Sequence, residues 1–298
     1  SPAPLESRRE PVGEPRDPPR VVARVAELVE EVLRACDAAD APVSVGVGVA
    51  AMLRGHTGMV ANAPHLRWLD VPFGAMLRER LGASRRVGIY NDVNAITWGE
   101  ARLGAGVGAR DLLAVFVGTG IGGGLVVNGE LALGASNAAG EIGHVKVIYG
   151  EGAVACACGG NGCVEAYAGG AFLQRRARRE LAAGARSLAV TLAGGAEEVT
   201  PGHLDEAAGA GDYYALGLFA EVAPLLAVAL ANAVTLLNPA RLIIGGGMLS
   251  RTPVFRDHVL TAFAIATPPA LYEPLTIHET ALGDDAGLVG SALLAGAG

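Results

Sequence analysis

Short apolar runs alternate along the chain with longer segments whose apolar residues recur every three or four positions. Val43 to Ala51, Arg86 to Tyr90 and Leu112 to Val117 are runs that predict strands of a buried sheet. Val21 to Ala38 has the apolar spacing of an amphipathic helix, and Tyr213 to Leu237 is apolar over most of its length, as in a core helix. This alternation predicts an α/β fold with parallel strands and crossover helices.

Local turn and capping signals add further elements. Asn128-Gly129 predicts a two-residue hairpin turn. Thr200-Pro201 predicts a helix start, and Asn238-Pro239 a helix end. The remaining predicted elements are an edge strand at Leu5 to Pro11, helices at Phe73 to Leu81 and Asn94 to Leu103, a buried strand at Arg241 to Ile244 and a final small-residue helix within Gly283 to Leu294.

Length and charge limit the function classes. The 298 residues, of which 51% are hydrophobic, correspond to about two domains of ordinary size, roughly 150 residues each. A net charge of -7 argues against nucleic acid or an anionic membrane as a direct partner. The most apolar stretch, Ala223 to Leu237, contains Pro224 and falls short of the ~20 residues of a membrane span, so we expect a buried helix.

Three of the four cysteines cluster within eight residues. Cys156, Cys158 and Cys163 follow His144, and three thiolates with one imidazole make a closed tetrahedral zinc site of the structural kind. The alternative is a loop with three reduced, unliganded cysteines. Cys36 lies on a predicted amphipathic helix and is expected to serve packing. This cysteine usage, with no visible signal peptide, predicts a reducing cytoplasm.

Two glycine-rich strings follow predicted strands. Gly118-Thr119-Gly120 and the four residues after it could bring backbone amides close to phosphate oxygens. The string is neither a Walker loop nor a dinucleotide fingerprint, and the alternative is a glycine-rich approach to the hairpin. Gly245-Gly246-Gly247 is either a second close-approach loop or a tight strand-to-helix turn.

Polar and acidic residues form a third set. Asn91-Asp92 follows the predicted strand Arg86 to Tyr90, and Asp92 could accept a proton from a substrate hydroxyl. The spacing alone favours a helix N-cap. Glu141, His144 and Glu165 would join it as hydrogen-bonding partners for sugar hydroxyls. The alternative for each carboxylate alone is a solvated surface charge.

Together these strings resemble the ROK family of bacterial sugar kinases and sugar-responsive repressors, from about Val43 to Leu294, and are most similar to its glucokinases. The likeness lies in the zinc string after Glu-Ile-Gly-His, in Asn91-Asp92-Val-Asn-Ala, in Gly-Thr-Gly-Ile-Gly-Gly-Gly and in Gly-Asp-Asp-Ala-Gly. The resemblance implies the two-domain, hexokinase- and actin-like (ribonuclease H-like) α/β fold with an inter-domain cleft. A small domain over 1-92, completed by a helix over 285-298, and a large domain over 93-284 with a zinc loop over 144-165 are expected.

The resemblance also implies an activity: ATP-dependent phosphorylation of a hexose, glucose to glucose 6-phosphate, in a cytoplasmic homodimer or homotetramer. Mg²⁺ would accompany ATP, and Zn²⁺ would be structural. Asp92 would be the catalytic base. The implied contacts are Asn62, Asn91, Asp92, Glu141, His144 and Glu165 with the sugar, Gly118, Thr119 and Gly120 with the phosphates, Gly245 and Gly246 with the nucleoside, and His144, Cys156, Cys158 and Cys163 with zinc.

Two differences from the family pattern lead to alternative functions for this chain. Family kinases open with a strand and Asp-x-Gly-Gly-Thr, a string that this chain does not contain, and Ser1 to Pro11 resembles the segment that comes next in those kinases. If the protein lacks that string, impaired ATP turnover is expected. Ala50-Ala51-Met52-Leu53 stands where the family has Pro-Gly, which predicts a narrower or altered sugar pocket. The alternatives are a fragment of a sugar-sensing regulator and a catalytically inactive sugar-binding protein.

Overall fold

A computed structural model describes residues 4–39 and 41–297, which form two compact units. Unit 1 comprises Ser1–Gly108, Glu130–Ala139 and Ala281–Gly298. Unit 2 comprises Ala109–Gly129 and Gly140–Thr280. Each unit therefore contains segments that are distant in sequence. The sequence-based domain bounds, 1-92 with 285-298 and 93-284, stay a prediction.

Strands and helices alternate over most of the described residues. The strands are β1 (Ser44–Val49), β2 (Met52–Arg54), β3 (Met59–Ala63), β4 (Trp68–Val71), β5 (Arg86–Asn91), β6 (Leu112–Val117), β7 (Ile121–Val127), β8 (Glu130–Leu131), β9 (Arg241–Gly245) and β10 (Thr276–Glu279). The α-helices are α1 (Pro18–Ala35), α2 (Phe73–Leu81), α3 (Asp92–Leu103), α4 (Glu165–Ala168), α5 (Gly170–Ala182), α6 (Leu188–Ala193), α7 (Pro201–Gly209), α8 (Tyr213–Leu237), α9 (Gly247–Arg251), α10 (Pro253–Ala266), α11 (Pro269–Tyr272) and α12 (Ala286–Gly296).

The central strand pair of unit 1 has two different faces. Strand β1 reads Ser-Val-Gly-Val-Gly-Val and pairs in parallel with β5. Successive side chains of a strand point to opposite faces, so its valines share one face and its glycines the other. Val45 and Val49 join a core that includes Val22 of α1. On the opposite face, a Cβ on Gly46 would overlap the backbone of Ser291, so glycine is required for α12 to pack this closely.

Helix α12 brings the C-terminal segment back onto unit 1. It packs against α3 at Gly290, where a Cβ would overlap the carbonyl oxygen of Ala95. The segment before α12 is fixed by Glu100, which is fully buried and accepts hydrogen bonds from the amides of Ala281 and Leu282 at 2.9 to 3.1 Å. A buried carboxylate needs such partners. The C-terminal segment thus contacts α3 in its N-terminal half through Gly290 and in its C-terminal half through Glu100.

A small antiparallel sheet, β2-β3-β4, was not predicted from the sequence. Its strands contain three to five residues, too few for a periodic apolar pattern to stand out. Leu53, Val60 and Trp68 are buried and provide one residue from each strand to the unit 1 core. The register shifts between Met52 and Leu53, so the chain is irregular where its sequence departs from the family pattern.

The sheet of unit 2 mixes parallel and antiparallel pairs. Its strands run in the order β10-β9-β6-β7, with β6 parallel to β9 and antiparallel to β7. Strand β9 is also parallel to β10, an element without a prediction. The hairpin prediction at Asn128-Gly129 is confirmed: both residues have positive φ, 55° and 84°, as a two-residue hairpin turn requires. This turn joins β7 to β8.

Helix α8 forms the centre of the unit 2 core. Phe219, Leu226 and Leu230 are almost completely buried in it, and Pro224 lies inside the helix. By length and composition α8 is the one helix of the described residues that could cross a membrane, yet 56% of its most apolar window is buried within the protein. This burial agrees with the predicted core helix.

The N-terminal expectations need two corrections. Leu5 to Pro11 forms no strand, because its one large apolar side chain, Leu5, is exposed and gives the segment nothing to pack on a core. Its charged side chains make ion pairs, such as Arg9 with Asp284 at 3.3 Å. Helix α1 begins at Pro18, three residues before the predicted start, because Asp17 caps it and a proline occupies its first turn. Apolar spacing alone does not detect such a capped, polar first turn.

Candidate functional site

Four potential metal ligands converge in unit 2. One donor atom each from His144, Cys156, Cys158 and Cys163 lies within 4.8 Å of the other three. The sulfurs of Cys158 and Cys163 are 3.7 Å apart, and Cys156 Sγ is 3.7 Å from His144 Nδ1. Tetrahedral zinc with bonds of about 2.3 Å to sulfur requires sulfurs about 3.8 Å apart. The donor set and its spacing therefore fit a closed zinc site.

The loop geometry explains how three sulfurs reach one point. Antiparallel bridges pair Lys146 with Cys163 and Ala155 with Asn161, so the chain folds back on itself twice. Gly162 has a φ of 74°, and a Cβ there would overlap the carbonyl oxygen of Ile148. Glycine is needed at this crossing, in agreement with the sequence-based expectation that glycines permit the tight fold.

The thiols of the cluster differ in acidity. Burial raises the pKa of Cys156 to about 12, whereas the backbone amide of Gly160 lowers the pKa of Cys158. Zinc binds thiolates, so metal binding at Cys156 must release a proton that the metal-free site holds tightly. Cys36 lies apart from this set, at the C-cap of α1.

The acidic residues of unit 2 surround the same cluster. Glu141 Oε2 is 3.9 Å from His144 Nε2, the ring nitrogen that does not face Cys156. Glu165 Oε1 is 3.8 Å from Cys156 Sγ, and its other oxygen accepts a hydrogen bond of 2.8 Å from the amide of Ile121. Unit 2 therefore brings together three of the residues proposed for sugar contact, and connects them to the glycine-rich turn.

That turn, Gly118 to Gly120, is fixed from two sides. The amides of Gly170 and Ala171, at the start of α5, donate to the carbonyl oxygens of Gly118 and Thr119 at 2.9 and 3.0 Å. A Cβ on Gly120 would overlap the carboxylate of Glu165. Thr119 is exposed at the tip, with its hydroxyl available to a ligand. The later glycines predicted as part of the turn instead belong to β7.

The second glycine string lies beside the first. In the parallel pairing of β6 with β9, Gly245 stands opposite Phe116. Gly246 has a φ of 85°, and a Cβ there would lie 2.5 Å from the carbonyl oxygen of Val117. Both glycine strings thus leave neighbouring strands at their carboxyl ends, the edge of a parallel sheet where ligands bind.

Unit 1 holds the remaining predicted site residues. Asn91 is the N-cap of α3: its oxygen accepts from the amide of Asn94 at 3.0 Å, and its Nδ2 donates to the carbonyl oxygen of Ala51 at 3.1 Å. An amide group has two donor hydrogens and two acceptor lone pairs, so half of its capacity stays available. Asn62 is exposed on β3, opposite Met52.

Asp92 is the first residue of α3. Its Oδ1 accepts a hydrogen bond of 2.9 Å from the amide of Val93. Burial raises the pKa of the Asp92 carboxyl above its ordinary value, while the Val93 amide and the charge of His65 act in the opposite direction. A partly desolvated carboxylate at the end of a parallel strand has the properties of a general base.

Sequence reasoning missed one residue at the cluster. Lys146 places its Nζ 3.0 Å from Cys163 Sγ, and this contact raises the pKa of the lysine. The contact depends on the bridge between Lys146 and Cys163, seventeen residues apart, which no local pattern encodes. The available signal was proximity in sequence, since Lys146 follows His144 by two positions.

Comparison with known proteins places these motifs in context. The sequence profile of the ROK family matches residues 6–297. A glucokinase of Halalkalibacterium halodurans is 32% identical over 252 residues, covering 85% of this chain and 76% of that protein. A xylose repressor of Caldicellulosiruptor bescii is 28% identical over 235 residues, covering 78% of this chain and 57% of the repressor.

The fold has close counterparts among solved structures. A ROK family glucokinase from Streptomyces griseus in complex with glucose and AMPPNP superposes with a TM-score of 0.78 at 30% identity, covering 93% of this chain and 88% of that chain. A ROK hexokinase from Thermus thermophilus gives a TM-score of 0.77, also at 30% identity, over 93% of this chain and 86% of that chain. The prediction of a hexokinase-type α/β fold is confirmed.

Proposed function

This chain belongs to the ROK family and is a sugar kinase, and from that premise we propose that it transfers the γ-phosphoryl group of ATP to a hexose, with glucose as the first candidate. The observation that carries the proposal is Asp92, a partly desolvated carboxylate at the end of a parallel strand and the start of α3. Asn91 supports its position by capping the same helix.

In the proposed reaction Asp92 accepts the proton of the sugar 6-hydroxyl as that oxygen attacks the γ-phosphorus. The bond from the γ-phosphorus to its bridging oxygen breaks, and ADP leaves with the electron pair. Phosphoryl transfer depends on positioning and charge stabilisation more than on covalent chemistry. Mg²⁺ bound with ATP would supply positive charge that offsets the charge of the phosphate oxygens.

Sugar recognition is proposed for two glutamates, two asparagines and one histidine. Glu141 and Glu165 would accept hydrogen bonds from ring hydroxyls, and Asn62 and Asn91 would use their free amide capacity. His144 offers Nε2 to the sugar while Nδ1 belongs to the cysteine cluster. If zinc occupies the cluster, it fixes the ring orientation and hence the sugar contact. All four protein ligands would then be used, so the metal is structural.

Nucleotide binding is assigned to the two glycine strings. Gly118, Thr119 and Gly120 would lie near the phosphates, with the Thr119 hydroxyl as a donor, and Gly245 and Gly246 would lie near the nucleoside. The Gly118 amide itself donates to the carbonyl oxygen of Gly120 at 2.9 Å and so keeps the turn closed. Their position side by side at the ends of β6 and β9 supports this assignment. The anchoring of Ile121 by Glu165 links the phosphate turn to the proposed sugar site within unit 2.

The proposal is tested by identifying the product. The chain is incubated with ATP, Mg²⁺ and glucose, mannose, fructose or an N-acetyl hexosamine, and the sugar phosphate is identified by ³¹P NMR. A hexose 6-phosphate is the expected product, with glucose preferred. A different preferred hexose would agree with the altered sugar pocket expected from Ala50-Ala51-Met52-Leu53, which stands where the family has Pro-Gly. Sugar binding by calorimetry without a product in the full-length protein would favour a regulator or a catalytically inactive binding protein.

A further inference from the structure

Lys146 is the one lysine of the chain: the other 22 of its 23 basic residues are arginines. The two side chains are not equivalent, because an ammonium is a compact point charge whereas a guanidinium is a broad planar fork. A chain that otherwise uses arginine throughout carries its lysine at the candidate zinc cluster. A general preference for basic residues does not account for this choice.

The backbone fixes Lys146 against one ligand. An antiparallel bridge pairs Lys146 with Cys163, and it is flanked by hydrogen bonds from Val147 N to Gly162 O and from Val164 N to Val145 O, both 2.9 Å. Residues directly opposite each other in an antiparallel pair project to the same face. The Nζ atom accordingly lies 3.0 Å from Cys163 Sγ, within hydrogen-bond distance for sulfur.

The neighbouring loop leaves room for the ammonium group. A Cβ added to Gly160 would stand 2.7 Å from Lys146 Nζ, whereas its next neighbour, Cys158 Sγ, would be at an ordinary 3.7 Å. Glycine at this position is therefore matched to the lysine head group. A guanidinium is wider and would need more room over Gly160 than the ammonium does.

The net charge of the zinc-bound cluster explains why a cation beside Cys163 would be favourable. Three thiolates and a neutral imidazole around Zn²⁺ leave one net negative charge. Cys163 is fully buried, so its sulfur cannot be stabilised by water. We propose that Lys146 is a positioning residue that donates a charged hydrogen bond to the Cys163 thiolate and thereby slows the loss of zinc from the cluster. The inference rests on the zinc site that the Cys3His donor set forms.

The experiment compares zinc retention in four purified full chains. Zinc per chain is measured by elemental analysis, and the rate of zinc loss to an excess of a chromogenic chelator is measured for the wild type, Lys146→Met, Gly160→Ala and Arg186→Met. Arg186 is an exposed cation of unit 2 outside the cluster, so its variant controls for the loss of one positive charge. Partners of metal ligands typically affect affinity 10- to 100-fold. We expect Lys146→Met to release zinc about tenfold faster.

Gly160→Ala provides an independent test. Its methyl group displaces only the flexible end of Lys146, so it should accelerate zinc loss without disturbing the fold. In the Lys146→Met variant, Gly160→Ala should cause no further increase in the rate of zinc loss, because the ammonium group that its methyl displaces is absent. Cobalt-substituted protein should show a shifted thiolate charge-transfer band in Lys146→Met and an unshifted band in Arg186→Met.

The outcomes separate the two layers of the proposal. A wild-type chain that binds no zinc refutes the zinc site itself. A wild-type chain with one zinc, whose Lys146→Met and Gly160→Ala variants both release it at the wild-type rate, refutes the role of Lys146. If Lys146→Met does not fold, the Gly160→Ala rate decides the question.

Discussion

The contact between α12 and α3 gives a stability prediction with a built-in control. A Cβ on Gly290 would overlap the carbonyl oxygen of Ala95 and stand 2.9 Å from the amide nitrogen of Gly99, both backbone atoms of α3. Neither can turn away as a side chain does, so the helices must separate. Overpacking of this kind costs up to about 3 kcal/mol, against a gain of about 1 kcal/mol in helix propensity. We expect Gly290→Ala to lower the free energy of unfolding by about 2 kcal/mol.

Gly287 of the same helix serves as the matched control. A Cβ there would lie 3.5 Å from the Cγ1 atom of Ile96, an ordinary contact. Gly287→Ala should therefore be neutral or stabilise by up to about 1 kcal/mol. Both tryptophans, Trp68 and Trp98, belong to unit 1, so thermal unfolding followed by tryptophan fluorescence reports on this unit. The expected decrease for Gly290→Ala is about 4–8 °C. A Gly290→Ala variant that melts at or above the wild-type temperature would refute the reasoning.

Three further predictions concern the candidate site. Asp92→Asn should lower kcat by about 10²- to 10⁴-fold and leave sugar affinity by calorimetry unchanged; equal loss of both would contradict its role as the base. Because burial raises the pKa of Asp92, log kcat/KM should fall as the pH decreases through a value above the ordinary 3.8, since protonation removes the base; a rate independent of pH down to 3.8 would oppose this. Cys158→Ala should lose zinc and melt at a lower temperature, because metal binding is coupled to folding; unchanged zinc content and melting would exclude a structural metal.

The sequence predicted an element correctly where its apolar pattern extended over at least six consecutive residues. Phe73–Leu81, Leu112–Val117 and Tyr213–Leu237 have the predicted bounds, because apolar periodicity or a continuous apolar run coincides with clear ends. Sequence reasoning failed for the sheet β2-β3-β4 and for β10, whose strands of three to five residues are too short for a periodic apolar pattern to stand out. The predicted edge strand at Leu5 to Pro11 failed because its one large apolar side chain, Leu5, is exposed and packs on no core.

The candidate site likewise contains features that the sequence predicted and features that it did not. The cysteine string predicted a ligand set, and the structure brings its donors within 4.8 Å of one another. The contacts of Glu165 with Ile121 and of Lys146 with Cys163 could not be predicted, because they depend on the register in which distant loop segments meet. Such contacts follow from tertiary structure and leave no periodic trace in the sequence.

The most direct test of the central claim is ADP release in a coupled assay with ATP, Mg²⁺ and glucose, measured for this chain and for the full-length gene product, with Asp92→Asn as the blank. The account predicts glucose-dependent release of ADP, in equal amount to hexose 6-phosphate, that is lost in the Asp92→Asn variant. Absence of ADP release with every hexose of the panel in the full-length product would contradict it.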